Sequence, residues 1–371
     1  MNDLFETNKG KLGFGLMRLP KDSNGKIDAK ETASMVDRFL DHGFTYFDTA
    51  YVYPGSEEIF RETIGSRHNR DSYTIASKLS GWALSDDFTP EKMFEEQLRR
   101  TGLDYFDFYL LHSIEADHMP NYEKYDTWSF CQRLKKEGKI RHFGFSFHDT
   151  PEMLDKLLSE HPETEFVQLQ INYLDWYSPK VQSKKIYEVA RKHNKPVVIM
   201  EPVKGGLLSD LEKSITEPFG DKTPASMALR FASSLDGVLA VLSGMSTPEQ
   251  MDENIKIFSD FEKLSEEEMQ EIEEVRDRIT KLQVIQCTSC RYCTPGCPEK
   301  IAIPNIFRYL NESRVRGDKE KAKNDYSNMI KEGKSGSASS CIKCGKCERV
   351  CPQKLPIRAL LSTAEETLGI K

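Results

Sequence analysis

Phe106-Asp-Phe-Tyr-Leu-Leu-His112 is an aromatic-rich apolar run closed by a histidine and too short to make a stable helix, which reads as a strand covered on both faces. Comparable short runs lie on either side of it, at 12–18, 45–48, 73–78, 142–146, 166–171, 197–200 and 238–242. Between them fall amphipathic stretches with helical spacing, at about 28–41, 56–65, 91–102, 123–137, 151–160, 182–193, 224–234 and 248–257. Strand and helix in strict alternation mark a parallel α/β architecture. Eight such units in about 250 residues suit a closed (β/α)8 TIM barrel better than an open sheet. The first run is not followed by G-x-G-x-x-G, and Gly13-Phe-Gly15 alone is weak support for an open dinucleotide-binding sheet.

At 371 residues the chain has room for a second, smaller domain beside the barrel. A further charged helix at about 265–282 leads into a cysteine-rich tail, so the expected division is a barrel over 1–283 and a small α+β iron–sulfur domain over 284–371. No run of 18 apolar residues offers a membrane span, and Met1–Lys9 lacks the basic-then-apolar order of a secretory leader. Charge is uneven: residues 284–371 carry +7 and the rest −14. The whole chain is acidic and shows no basic face interleaved with aromatics, which argues against nucleic-acid binding.

In a barrel of this type, polar residues at the C-terminal strand ends are the catalytic candidates. Four stand out: Asp48, closing the second strand in Phe47-Asp48-Thr49-Ala50-Tyr51-Val52-Tyr53; Tyr53 in the loop that follows; Lys78, ending the third strand; and His112, ending the fourth. Each alone has a plain structural reading as a helix cap, a solvated amine or a hydrogen-bonded core residue. Together they serve one chemistry. A phenol is a poor acid at neutral pH. A neighbouring ammonium lowers its pKa, a carboxylate holds the ammonium, and a histidine orients the carbonyl being protonated.

Asp48-Thr-Ala-x-x-Tyr53, with Lys78 and His112 at these spacings, resembles the tetrad of the aldo-keto reductases, and the similarity extends over residues 10–260. It implies that Tyr53 is the general acid, Lys78 its partner, Asp48 the anchor of Lys78, and His112 the group that positions the carbonyl. Tyr51, three residues from Asp48, fits the family pattern less well. The same resemblance implies an NADP or NAD site. Ser146 in Gly144-Phe-Ser and Gln168 would face the nicotinamide, and Lys204 and Gly205 the pyrophosphate. Gly244, Ser246, Gln250, Glu253 and Asn254 would form the adenosine end. Two departures stand out: Phe147 replaces the Asn common after the strand-five Ser, with His148 next to it. Gly244 and Gln250 occupy positions where many members carry a basic residue for a 2′-phosphate, which wants Arg or Lys.

The tail contains Cys287-x2-Cys290-x2-Cys293-x3-Cys297-Pro298 and Cys341-x2-Cys344-x2-Cys347-x3-Cys351-Pro352. This doubled spacing resembles a bacterial-type two-[4Fe–4S] ferredoxin module with a lengthened insertion, in which the fourth cysteine of each motif ligates the other cluster. The expected quartets are Cys287, Cys290, Cys293 and Cys351, and Cys341, Cys344, Cys347 and Cys297. Zinc sites usually pair two short cysteine motifs or add histidine, and 284–371 contains no His. Thiolate ligands call for a reducing compartment, the cytoplasm. The cationic excess of the tail offsets the anionic clusters, and it also suits docking to the acidic barrel or steering an acidic partner. Cys131, the ninth cysteine, reads as a small core residue.

The halves together suggest a redox enzyme. In the leading reading, an NAD(P)-dependent carbonyl/alcohol oxidoreductase with a small carbonyl or alcohol substrate carries an electron-transfer module for an external ferredoxin- or flavodoxin-type partner. Two alternatives stay open: a ferredoxin-linked reductase whose clusters feed a barrel substrate without nicotinamide, and a non-catalytic electron carrier.

Overall fold

The computed structural model describes residues 10–316 and 318–369. Met1–Lys9, read above as no secretory leader, lies outside the described residues. Eight parallel strands close into a barrel in sequence order: β1 Leu12–Gly15, β2 Tyr46–Asp48, β3 Thr74–Leu79, β4 Phe106–Ile114, β5 Ile140–Phe147, β6 Phe166–Gln170, β7 Val197–Met200 and β8 Val238–Ser243. β8 returns to β1, with Gly13 opposite Leu242. Every expected strand is present. The first is shorter than expected, because Leu16–Arg18 turns into a short 3-10 helix.

The strands read as apolar runs because the sheet is covered on both sides. Tyr46, Ala76, Phe108, Leu110, Phe166, Val198, Ala240 and Leu242 form one buried cluster. Gly144 has a steric reason: a Cβ there would stand 2.5 Å from the Phe166 carbonyl oxygen. The helices begin where the sequence supplies caps. Asp28, Thr150 and Thr247 each accept a backbone N–H at the start of helices Ala29–Asp41, Pro151–Glu160 and Pro248–Ser259. The stretch expected as one helix over 123–137 is two, Met119–Lys124 and Thr127–Lys136, broken at Asp126 with φ of 44°.

The chain falls into two compact units. One runs to Pro202 and includes Leu229–Lys263; the other joins Val203–Ala228 to Leu264 and everything after it. The loop after β7 and the helix Glu266–Lys281 therefore go with the cysteine-rich region, where the sequence suggested a cut at 283. The local bonds explain this. Within the second unit Lys222 meets Glu271 at 2.6 Å, and Arg278 donates to the Ser214 carbonyl at 2.8 Å. Ser265 and Glu268 form a capping box at the start of helix Glu266–Lys281.

The insertion between the cysteine motifs folds as two helices, Ile303–Arg316 and Lys319–Lys331, packed with Ile357–Leu368 on a core that includes Ile306, Phe307, Leu310, Tyr326 and Leu361. Among the described residues no strand follows β8, so the β component expected for this region is replaced by helix. The segment 331–340 that precedes the second motif keeps Ser335 and Ala338 buried. Tyr326 secures it, donating to Glu365 and accepting from the Ala338 N–H.

Candidate functional site

The barrel geometry delivers Asp48, Tyr53, Lys78 and His112 to one place. Adjacent parallel strands put Asp48 opposite Ala76 and Lys78 opposite Leu110. From there Lys78 Nζ reaches Asp48 Oδ1 at 2.6 Å and the Thr49 carbonyl at 2.6 Å. Lys78 has no exposed surface and Asp48 almost none. Burial pushes the Asp48 carboxyl up and the Lys78 ammonium down, while their mutual attraction pulls each back; at 2.6 Å the geometry favours the ion pair. The Tyr53 ring centroid lies 5.2 Å from Lys78 Nζ. Tyr51 is engaged elsewhere, with Arg100 stacked on its ring at 4.4 Å and Phe88 beside it at 5.6 Å.

His112 meets the same phenol edge-on, with ring centroids 5.8 Å apart. Its Nδ1 stands 3.0 Å from Ser80 Oγ. The Tyr122 hydroxyl donates to the His112 carbonyl and accepts from the Gly81 N–H, tying β4 to the end of β3. Burial, then the charge of Lys78, then His148 and His118, hold the imidazole well below its ordinary pKa. Trp82 leans over His112 at 5.0 Å and stacks on His118 at 4.6 Å, forming an aromatic wall.

Ser146 and Gln168 stand opposite each other on β5 and β6. The Ser146 hydroxyl accepts from the Ser113 N–H at 2.6 Å. Ser113 has φ of 53° in the irregular part of β4 just past His112, so Ser146 stabilises that bend. Gln168 is buried and its Oε1 has no protein hydrogen-bond partner. A buried acceptor of this kind suits a carboxamide N–H donor, so the residues fit a nicotinamide. Gly244, Ser246, Gln250 and Asn254 gather after β8: the Ser246 N–H donates to Gln250, and Asn254 to Ser243. Half-buried Glu253 lies on the helix Pro248–Ser259.

Sequence reasoning missed Arg18. Its carbonyl accepts from Ser246 Oγ at 2.6 Å, its side chain lies against Gly244, and its guanidinium is 3.7 Å from Glu201. No spacing in the sequence links Arg18 to Gly244; only closure of β8 onto β1 does. Lys204 and Gly205, expected at the pyrophosphate, fall in the second unit. Lys204 is fully buried in the second unit, where its Nζ donates to Gln353 Oε1 at 3.1 Å, and Gly205 lies directly against the Thr288 backbone.

The eight motif cysteines line two cavities. Cys287, Cys290, Cys293 and Cys351 line one together with Thr288, Phe307, Gln353 and Ile357. Cys297, Cys341, Cys344 and Cys347 line the other with Ile301, Ile303 and Leu361. The groups contain the same residues as the quartets that the ferredoxin resemblance implies. Four thiols round each cavity match the four-cysteine ligation of an iron–sulfur cluster. Cys131 is buried in the barrel unit, and burial pushes its thiol pKa up.

Comparison with known proteins agrees with this geometry. The model of the aldo/keto reductase family matches residues 11–224 and 213–277. The chain belongs to the aldo/keto reductase family. A 4Fe-4S dicluster domain model matches residues 286–355, so this aldo/keto reductase carries an iron–sulfur domain at its C-terminal side. The chain is 26 % identical over 272 residues to a 9,11-endoperoxide prostaglandin H2 reductase of Trypanosoma cruzi, covering 72 % of this chain and 87 % of that one. It is 27 % identical over 246 residues to a methylglyoxal reductase of Yersinia pestis, covering 65 % and 82 %. An aldo-keto reductase of Klebsiella pneumoniae solved in complex with NADPH shares the fold, with a TM-score of 0.56 and 23 % identity over 72 % of this chain and 90 % of that one. The protein is an oxidoreductase with iron–sulfur ligation. Among the described residues no helix is long and apolar enough to cross a membrane.

Proposed function

We propose that this protein is an NAD(P)-dependent carbonyl/alcohol oxidoreductase whose chain also carries two [4Fe–4S] clusters for electron exchange with an external ferredoxin- or flavodoxin-type partner. The observation that carries the reading is the buried Lys78–Asp48 pair 5.2 Å from the Tyr53 ring. Tyr53 gives its proton to the substrate carbonyl oxygen. The Lys78 ammonium favours the phenolate left behind, and Asp48 fixes that ammonium in place. His112 stays neutral; with Ser80 donating to Nδ1, it offers an Nε2–H to the same carbonyl oxygen. In the alcohol-oxidising direction the same groups accept the proton.

Gln168 and Ser146 would hold the nicotinamide carboxamide, and Gly244, Ser246, Gln250, Glu253 and Asn254 the adenosine portion. Arg18 supplies the cation for the nucleotide's phosphates that Gly244 and Gln250 do not. When bound, the nicotinamide supplies or accepts the hydride, and the clusters supply one-electron transfer. The NADPH complex of the Klebsiella structure and the name of the methylglyoxal reductase support a nicotinamide and a small carbonyl as its partners. Cysteine thiolates as ligands suit the reducing cytoplasm.

A titration of the anaerobically prepared, iron-replete protein with NADPH and NADH tests this, following nucleotide binding, cluster bleaching and carbonyl turnover. Tyr53→Phe should lose roughly 10²–10⁴ in turnover, the range general-acid help contributes, and unchanged turnover would sink the mechanism. A second reading, reduction by the clusters without nicotinamide, draws on the contacts that Lys204 and Gly205 make with the cysteine region of the second unit. Failure to bind either nucleotide, with turnover on reduced ferredoxin, would favour it.

A further inference from the structure

Lys204 is an unusual residue for its surroundings. Lysine is seldom buried completely, yet its side chain has no exposed surface. Its Nζ donates at 3.1 Å to Gln353 Oε1, and Gln353 lines the cavity of Cys287, Cys290, Cys293 and Cys351. The next residue, Gly205, has φ of 66° and packs so closely that a Cβ would lie 2.3 Å from the carbonyl oxygen of Thr288, which lines the same cavity. The loop is thus clamped to the cavity wall, and the ammonium is one side chain away from the thiols. Arg291, the charged residue that lines that cavity, is exposed, and so is Lys354, whose charge acts on Cys351. In the second cavity the cations are Lys346, which is exposed, and Arg358, which is half-exposed and paired with Glu348 at 2.7 Å.

Reduction of a cluster adds one electron and no proton, so its negative charge grows. Nearby charge, hydrogen bonding and solvent exposure set the potential at which this happens. Burial opposes the added charge. A cation buried beside it offsets that penalty far more than an exposed one, because water screens the exposed charge.

We propose that Lys204 raises the reduction potential of the cluster held by Cys287, Cys290, Cys293 and Cys351, making the loop after β7 a tuning element for that cluster. The proposal depends on the two-cluster reading above, which iron and sulfide analysis tests separately.

The experiment is a potentiometric titration of the anaerobic holoprotein, read by the paramagnetic resonance of the reduced clusters. Lys204→Gln, which keeps a hydrogen-bonding group facing Gln353, should lower the reduced-to-oxidised ratio of one cluster about tenfold at a fixed potential, or 59 mV for one electron. The other cluster should be unmoved. Lys204→Arg should restore the wild-type value, and Arg291→Gln should shift it by less than a third as much. Equal shifts of both clusters, no shift in Lys204→Gln, or an equal shift in Arg291→Gln would overturn the proposal. Loss of iron from both Lys204→Gln and Lys204→Met would also overturn it, by making the residue a structural prop. Fewer than two clusters in the wild-type protein would instead remove the reading beneath it.

Discussion

Lys78 and Asp48 are held out of solvent against each other, and in that setting each charge is tolerated only because the other is present. Lys78→Met should therefore do two things: abolish most turnover, and cost about 3–5 kcal/mol of stability by leaving Asp48 buried without its cation. Urea unfolding measures the second effect, and a variant as stable as the parent would mean the pair is not formed. His112 gives a pH signature. Its folded-state pKa lies well below the ordinary 6.5, chiefly through burial. Between those two values the unfolded chain binds the extra proton and the native state does not, so stability rises with pH through that window. This contribution is complete above about pH 6.5 and is lost as pH falls toward the folded value. Thermal melts of the parent and His112→Gln across pH 4–8 should show a slope below pH 6.5 that the variant flattens. The four tetrad residues were legible in the sequence because each closes or follows a recognisable apolar run. Arg18 was not, since its partners Ser246 and Gly244 lie at the far end of the barrel segment.

At the scale of the element, β4 does more than present His112. Its regular pairing with β5 breaks between Leu111 and Ile114, and Ser113 takes up a positive φ there. The Ser146 hydroxyl caps the buried N–H of that bend at 2.6 Å. Ser146→Ala should cost about 1–3 kcal/mol, the usual range for leaving a buried donor unmade. Because the bend follows His112 directly, kcat for carbonyl reduction should fall more than KM rises. Steady-state kinetics at saturating nucleotide decide this, and a raised KM for the carbonyl with unchanged kcat would mean that the bend does not position His112. The resemblance pointed to Ser146 as a nicotinamide contact; the bend it supports has no periodicity to reveal it. The insertion between the cysteine motifs had no structural reading in the sequence for a related reason. Its two helices are stabilised by packing on Phe307, Tyr326 and Leu361 rather than by a pattern that announces a domain class.

At the scale of the whole molecule, the crossed thiol quartets tie the two ends of the second unit together. Cys297 shares a cavity with Cys341, Cys344 and Cys347, and Cys351 with Cys287, Cys290 and Cys293. The intact protein should contain about eight iron and eight sulfide per chain. Cys297→Ser should disturb the cluster of the second motif and leave that of the first, as separate resonance signals would report. Damage to the first-motif cluster instead would refute the crossing. Stripping the iron should lower the melting transition of the second unit, because four free thiols around an apolar void lose the ligation that binds distant loops together.

The sequence by itself determined the barrel, the four residues at or just past its strand ends and the two four-cysteine motifs, whose crossed grouping only the resemblance implied. Each of these is written in local periodicity or in spacing over a few residues, which side-chain chemistry alone makes readable. Tertiary structure decided the rest: that Arg18 lies beside Gly244, that Lys204 and Gly205 pack on a cysteine loop, and that the insertion is helical. Those outcomes depend on contacts between residues tens or hundreds of positions apart, and such contacts exist only once barrel closure and core packing have brought the segments together.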